Sequence, residues 1–152
     1  MHKVQPIKID RYLIDTNIAL DLLLDRKPFE IDAMHIFAMA EANNIELYLS
    51  CDAISTISYL ITKNKDTQTA RQAIALMLDY VKLAPINEAV VFKALALDFE
   101  DIEDSLVAAA ADACGAQAII TRNSKDFKTS PIPAVSPKEF LALRAQTSGF
   151  RI

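Results

Sequence analysis

Three stretches of this chain carry side chains that could do chemistry together, and they lie far apart. Asp15 sits in "YLIDTN", Asp101, Glu103 and Asp104 crowd "EDIEDS", and Asn123 and Asp126 fall in "TRNSKDF". Carboxylates gathered in one place repel one another, and burial makes the repulsion worse. A cation between them removes that cost. An all-oxygen donor set without His or Cys suits a hard ion, Mg²⁺ or Mn²⁺. Such an ion activates water and offsets charge on a phosphodiester, so phosphate-ester hydrolysis is the reaction class these residue types suggest.

For this to hold, the elements must bring the stretches together. "IDRYLID" is expected as a first strand, with the helix "TNIALDLLL" directly after it. A helix over Asp32–Asn43 follows, with Met34, Phe37 and Ala38 on its apolar side. "IELYLS" is expected as a strand, with Ser50 as N-cap of the next helix. "TQTARQAIALMLDYV" reads as a helix and "VKLAPI" as a strand; Asn87 caps "EAVVFKALAL". "EDSLVAAAADAC" is a helix whose alanines permit close approach to a sheet, ended by Gly115. Gln117 to Thr121 forms a strand, Pro131 and Pro133 bracket an extended turn, and "SPKEFLALRA" has Ser as cap and Pro in its first turn. Strands alternating with helices imply parallel pairing and an α/β sandwich. In such a sheet the strand ends and helix starts share one edge, where ligands bind. Asp15, Asp52, Thr56, the Asp101–Asp104 cluster and Asn123 all fall on that edge.

Each residue also has a plainer role. Asp15 is a good N-cap, Asp101, Glu103 and Asp104 suit the positive end of a helix dipole, and Asn123 and Asp126 are common turn residues. Asp21 and Asp25 are expected as solvated helix positions, and Cys114, Met34 and Met39 as core. Convergence of the stretches, rather than any one of them, carries the chemical interpretation.

Composition sets the frame. A chain of 152 residues with 52% apolar side chains is one domain able to bury a core. No run is long enough to span a membrane, and "MHKVQPIKID" lacks an export signal, so a cytoplasmic location is expected. Two cysteines without metal-ligand spacing are expected as free thiols, and two histidines make a zinc site an unpromising alternative. The net charge of −4 argues against binding nucleic acid through a broad basic face, though not against a local acidic metal site.

"LIDTNIALDLLLDR", "DIEDSLVAAAADACGAQAIITRNSKDF" and "SPKEFL" together resemble the PIN domain, in the branch that includes bacterial VapC-type toxins, over nearly the whole chain. The resemblance implies a PIN-like three-layer α/β sandwich with a small parallel sheet, spanning residues 1–152, with 1–8 and 147–152 as flexible or partner-docking ends. It implies an Mg²⁺- or Mn²⁺-dependent endoribonuclease that cleaves RNA, forms a homodimer and is held by an antitoxin. Carried over by position, Asp15 and Asp104 match the metal-binding aspartates, Asn123 the Asp or Asn after the last main strand, and Asp126 a further acidic position, all four at the catalytic centre. Asp101 is an additional carboxylate for the metal, and Thr16, Asn17, Thr56 and Arg122 are candidates for holding substrate. One departure stands out: where many members have a glutamate after the second strand, this chain has Thr56.

Other functions remain open from sequence alone. The chain could be a PIN-fold binding module for RNA or protein with weak or lost cleavage, as Thr56 suggests. A haloacid-dehalogenase-type phosphatase would want an acid where Asn17 stands, and a receiver domain would want an acidic pair beside Asp15. A purely structural protein would use all these side chains as caps.

Overall fold

The structure is a computed structural model and describes residues 9–147. The ends 1–8 and 148–152, expected as flexible or docking segments, lie outside the described residues; Thr147 closes the last helix. Five parallel strands form one sheet: β1 (Arg11–Ile14), β2 (Glu46–Ser50), β3 (Val81–Ala84), β4 (Ala118–Ile120) and β5 (Ala134–Val135). Their order across the sheet is β3-β2-β1-β4-β5. The chain therefore winds outward from β1 in one direction and returns to its other side at β4. A crevice opens where the direction changes, at the carboxyl ends of β1 and β4.

Side-chain alternation builds the layers. Tyr12 and Ile14 of β1 and Ile120 of β4 point to one face, and Leu13 and Ile119 to the other. The first face is covered by α1 (Thr16–Leu23), α2 (Glu30–Glu41), α3 (Ala53–Asn64), α4 (Thr67–Met77) and α7 (Pro137–Thr147). The second is covered by α5 (Glu88–Ala96) and α6 (Ile102–Ala113). In α6, Ala108 to Ala111 are all buried, as the alanine run predicts. Small side chains let this helix lie directly on Leu13 and Ile119. Gly115 follows α6 at φ +76°, a conformation that glycine adopts without strain. Ser136 and Glu139 close a reciprocal capping box at the start of α7, each accepting from the other's backbone N–H at 3.1 and 3.3 Å.

Several expectations need correction. Ser50 is not a cap but the buried last residue of β2; α3 begins at Ala53, after Asp52. α2 starts two residues earlier than expected, at Glu30, and buries Ala33, Ile36 and Phe37 while leaving Met34 53% exposed. The two-residue strand β5 follows directly on the segment expected as an extended turn, where Pro131 and Pro133 leave too little sequence to show alternation. Asp21 is the largest departure. Expected in solvent, it is 1% exposed.

Candidate active site

Asp15 ends β1 and opens α1, so its position is set from both sides. Its backbone N–H donates to the Ile120 carbonyl at 2.9 Å, which continues the β1–β4 ladder. One carboxylate oxygen accepts the Thr16 N–H at 2.8 Å, an N-cap bond; the other accepts the Thr121 hydroxyl at 2.8 Å and the Asn17 amide at 3.4 Å. Burial pushes the Asp15 carboxyl above its ordinary range, against the opposing pull of the Thr121 and Thr16 bonds and of the Arg122 charge.

Asp104 comes to the same place from α6. Asp101 is the N-cap of that helix, one oxygen accepting the N–H groups of Glu103 and Asp104 at 2.7 and 3.4 Å. The cap turns the first helical turn, with Asp104 on it, toward the crevice. Burial and then the charges of Asp101, Asp15, Asp126 and Glu103 raise the Asp104 carboxyl to about 6.

A single cleft is lined by Asp15, Thr16, Asn17, Ser50, Asp52, Thr56, Glu103, Asp104 and Asn123. Six of the residues proposed from sequence thus share it. Asp101 and Asp126 line an adjoining cavity, with Lys125 and Lys128 at its wall, and Asp104 borders both. Asn123 is placed by its own N–H, which donates to the Thr121 hydroxyl oxygen at 3.0 Å, and the Asp126 N–H donates to the Asn123 carbonyl at 3.0 Å. Arg122 is the exception. Rather than reaching into the cleft as a phosphate ligand, its guanidinium is bidentate on Asp21 at 2.8 and 3.0 Å.

Two contributors, Thr121 and Ser50, are not among the site residues expected from sequence. Thr121, wholly buried, holds both Asp15 and the turn to Asn123; a threonine ending an apolar strand must find a partner for its hydroxyl, and that was the available signal. Ser50, expected as a cap, lines the cleft, and Glu103, expected within the acidic cluster, lines it too. Asn17 adds a further feature: its side-chain oxygen is buried and accepts no hydrogen bond within the protein.

The residues fit a divalent cation. Every donor on the cleft is an oxygen, and the crowding that raises Asp104 is what a positive ion would relieve. Among the described residues no three His, Cys, Asp or Glu side chains close on one point. Two carboxylates with the remaining positions left to water is the manner in which Mg²⁺, slow to shed its water, is commonly held.

The charge on Asp104 also makes a prediction. A carboxyl with a higher pKa folded than unfolded favours the fold when protonated, fully so below 3.8, and loses that contribution as pH rises through about 6. Without metal, the melting temperature of Asp104→Asn should therefore gain on that of the wild type between pH 5 and 7.5. Parallel melting curves across that interval would show that Asp104 titrates as an ordinary carboxylate.

Comparison with known proteins agrees with this architecture. Residues 11–125 match the family model described as PIN domain. Ribonuclease VapC1 of Aquifex aeolicus is 26% identical over 136 residues, covering 86% of this chain and 93% of that protein. A toxin–antitoxin complex from Klebsiella pneumoniae contains a chain 26% identical, with a TM-score of 0.64, over 83% of this chain and 97% of that one. DNA-bound VapBC from Salmonella typhimurium has a chain of the same fold, with a TM-score of 0.68 at 12% identity, over 85% and 99% of the two chains. With the match running from the first strand through the turn that carries Asn123, this chain belongs to the PIN-domain family.

Proposed function

We propose that this protein is a divalent-metal-dependent endoribonuclease and the toxin of a toxin–antitoxin pair. One observation carries the proposal: Asp15 and Asp104, on different layers of the sandwich, line one cleft at the switch point of the sheet with Asn123 beside them. The relatives named as a ribonuclease and as part of a toxin–antitoxin complex support the same reading.

Asp15 and Asp104 would hold Mg²⁺ or Mn²⁺, with Asn123, Asp126 and Asp101 directed toward its waters. Bound there, the cation acidifies a water molecule and offsets charge on the phosphate. The chain's own part is placement. Thr121 and the Thr16 N–H keep the Asp15 carboxylate oriented. Asn17 offers an unused acceptor oxygen to a water proton. Thr16 and Thr56 offer hydroxyls to the phosphate. Water adds to phosphorus, the bond to the leaving ribose oxygen breaks, and that oxygen takes up a proton, so no covalent bond to the protein forms.

A homodimer and an antitoxin partner belong to the same proposal, as does a cytoplasmic setting. Phe92 and Leu95 on α5, each 64% exposed, and Tyr59 and Leu76 at 64% and 63% supply apolar surface for partners. Among the described residues no helix is long and apolar enough to cross a membrane.

The test is cleavage of a structured RNA by the purified protein in Mn²⁺ or Mg²⁺, with chelator and with Asp15→Asn as controls. Cleavage is expected with metal and absent in both controls. Thr56, a hydroxyl on the cleft where a carboxylate would strengthen the site, favours the second reading, a PIN-fold binding module. Calorimetry that finds no Mn²⁺ binding at millimolar concentration would decide for that module.

A further inference from the structure

Arg122 and Asp21 form an ion pair in which the carboxylate is buried and the guanidinium is partly exposed. Asp21 lies on α1, six residues after Asp15, and is 1% exposed. Arg122 follows β4, between Thr121, which grips Asp15, and Asn123, which borders the cleft. The guanidinium fork donates to both Asp21 oxygens at 2.8 and 3.0 Å, and its far face lies on the Phe29 ring at 3.9 Å. Arg26 is more distant, at 3.9 Å from the same carboxylate.

An ion pair with a buried carboxylate is a poor source of stability, because desolvation offsets much of the attraction and a well-packed apolar pair often does as well. What a bidentate guanidinium–carboxylate pair supplies is fixed orientation, which a lysine cannot reproduce. Here it ties together two segments that both line the cleft, α1 and the turn after β4. We propose that the Arg122–Asp21 pair is a positioning clamp: it holds the Thr121–Asn123 turn against α1, so that Asn123 stands at working distance from Asp15. Arg122 then acts through its neighbours and does not touch RNA. This deepens the nuclease reading above and rests on it.

Two variants test the clamp: Arg122→Lys, which keeps the charge and loses the fork, and the double variant Asp21→Leu/Arg122→Met, which replaces the pair by apolar side chains and avoids a lone buried charge. Cleavage kinetics on one RNA in Mn²⁺ are measured beside amide hydrogen exchange. The expected result is a fall in kcat of about thirtyfold, within the range that a small misplacement of reacting groups produces, with KM within about threefold. Exchange at the Asn123 amide should quicken about tenfold while β2 stays protected. A rise in KM with kcat unchanged would overturn the clamp and make Arg122 a substrate contact. Unchanged kcat and unchanged exchange in a folded double variant would reduce the pair to packing. If the wild type itself does not cleave RNA, the nuclease reading fails separately, and exchange at Asn123 still decides whether the pair holds the turn.

Discussion

Replacing Asp104 with Asn is expected to lower RNA cleavage about a thousandfold while leaving the metal-free protein at least as stable as the wild type at neutral pH. The two effects have one origin. Asp104 is pushed up to about 6 by burial and by Asp101, Asp15, Asp126 and Glu103, so its charge is a burden on the fold whenever no cation offsets it. Asn keeps the shape and sheds the charge. Charge stabilisation by a bound cation is worth several kcal/mol in such reactions, and about 1.4 kcal/mol is a factor of ten. Losing a direct ligand should therefore cost on the order of three decades in kcat/KM. Mn²⁺ calorimetry, thermal melting with chelator and a cleavage assay would be run on the same preparations. A variant that cleaves within tenfold of wild type would remove Asp104 from the metal site. One that melts well below it would mean that Asp104 supports the fold, not that it strains it.

Thr56→Glu is expected to act in the opposite sense on both properties. Thr56 lies on α3, exposed, on the wall of the cleft shared by Asp15, Asp104 and Asn123. A carboxylate there adds one more negative charge to a group already crowded. Through solvent at about 5 Å, one unit charge and a divalent ion attract by roughly 1.7 kcal/mol, or somewhat over tenfold in affinity. Mn²⁺ affinity should rise by about that factor, and cleavage at low metal concentration should rise with it. In chelator the same variant should melt lower than wild type, for want of the ion that would offset the added repulsion. If affinity does not change, the Thr56 side chain points past the ion, and the glutamate common elsewhere in the family has no counterpart on this cleft. The wild type would then compensate with Asp52 or Glu103, both of which line it.

Most of the sheet and the principal acidic positions could be read from the sequence because they rest on local signals. β1 and β4 are short apolar runs that stop at polar residues, and Asn87, Asp101 and Gly115 sit at helix ends with the side chains or backbone freedom those ends need. Asp15, Asp104 and Asn123 could be grouped because parallel α/β topology places strand ends on one edge. The failures have a different physical origin. Whether Asp21 meets water or a guanidinium is settled by a residue a hundred positions away, which no local pattern reports. The same holds for Arg122, whose position beside Asn123 suggested phosphate and whose partner turned out to be Asp21. Ser50 was misplaced because a serine between a strand and a helix satisfies the rules for either. Thr121 is legible in the sequence only as the end of a strand, although its hydroxyl donates to Asp15 across the ends of β1 and β4.

The strand order has a consequence for how this protein is made. β1, β2 and β3 are neighbours in sequence as well as in the sheet, so that half can pair as soon as it leaves the ribosome. The other side of β1 stays bare until β4 arrives, more than a hundred residues later in the chain. Until then Asp15 lacks the Ile120 carbonyl and the Thr121 hydroxyl that hold it, and no Asn123 stands opposite. An unfinished chain of this kind would carry the acidic residues without the strand that aligns them. The alignment of its acidic residues is therefore completed late, once most of the chain has been synthesised.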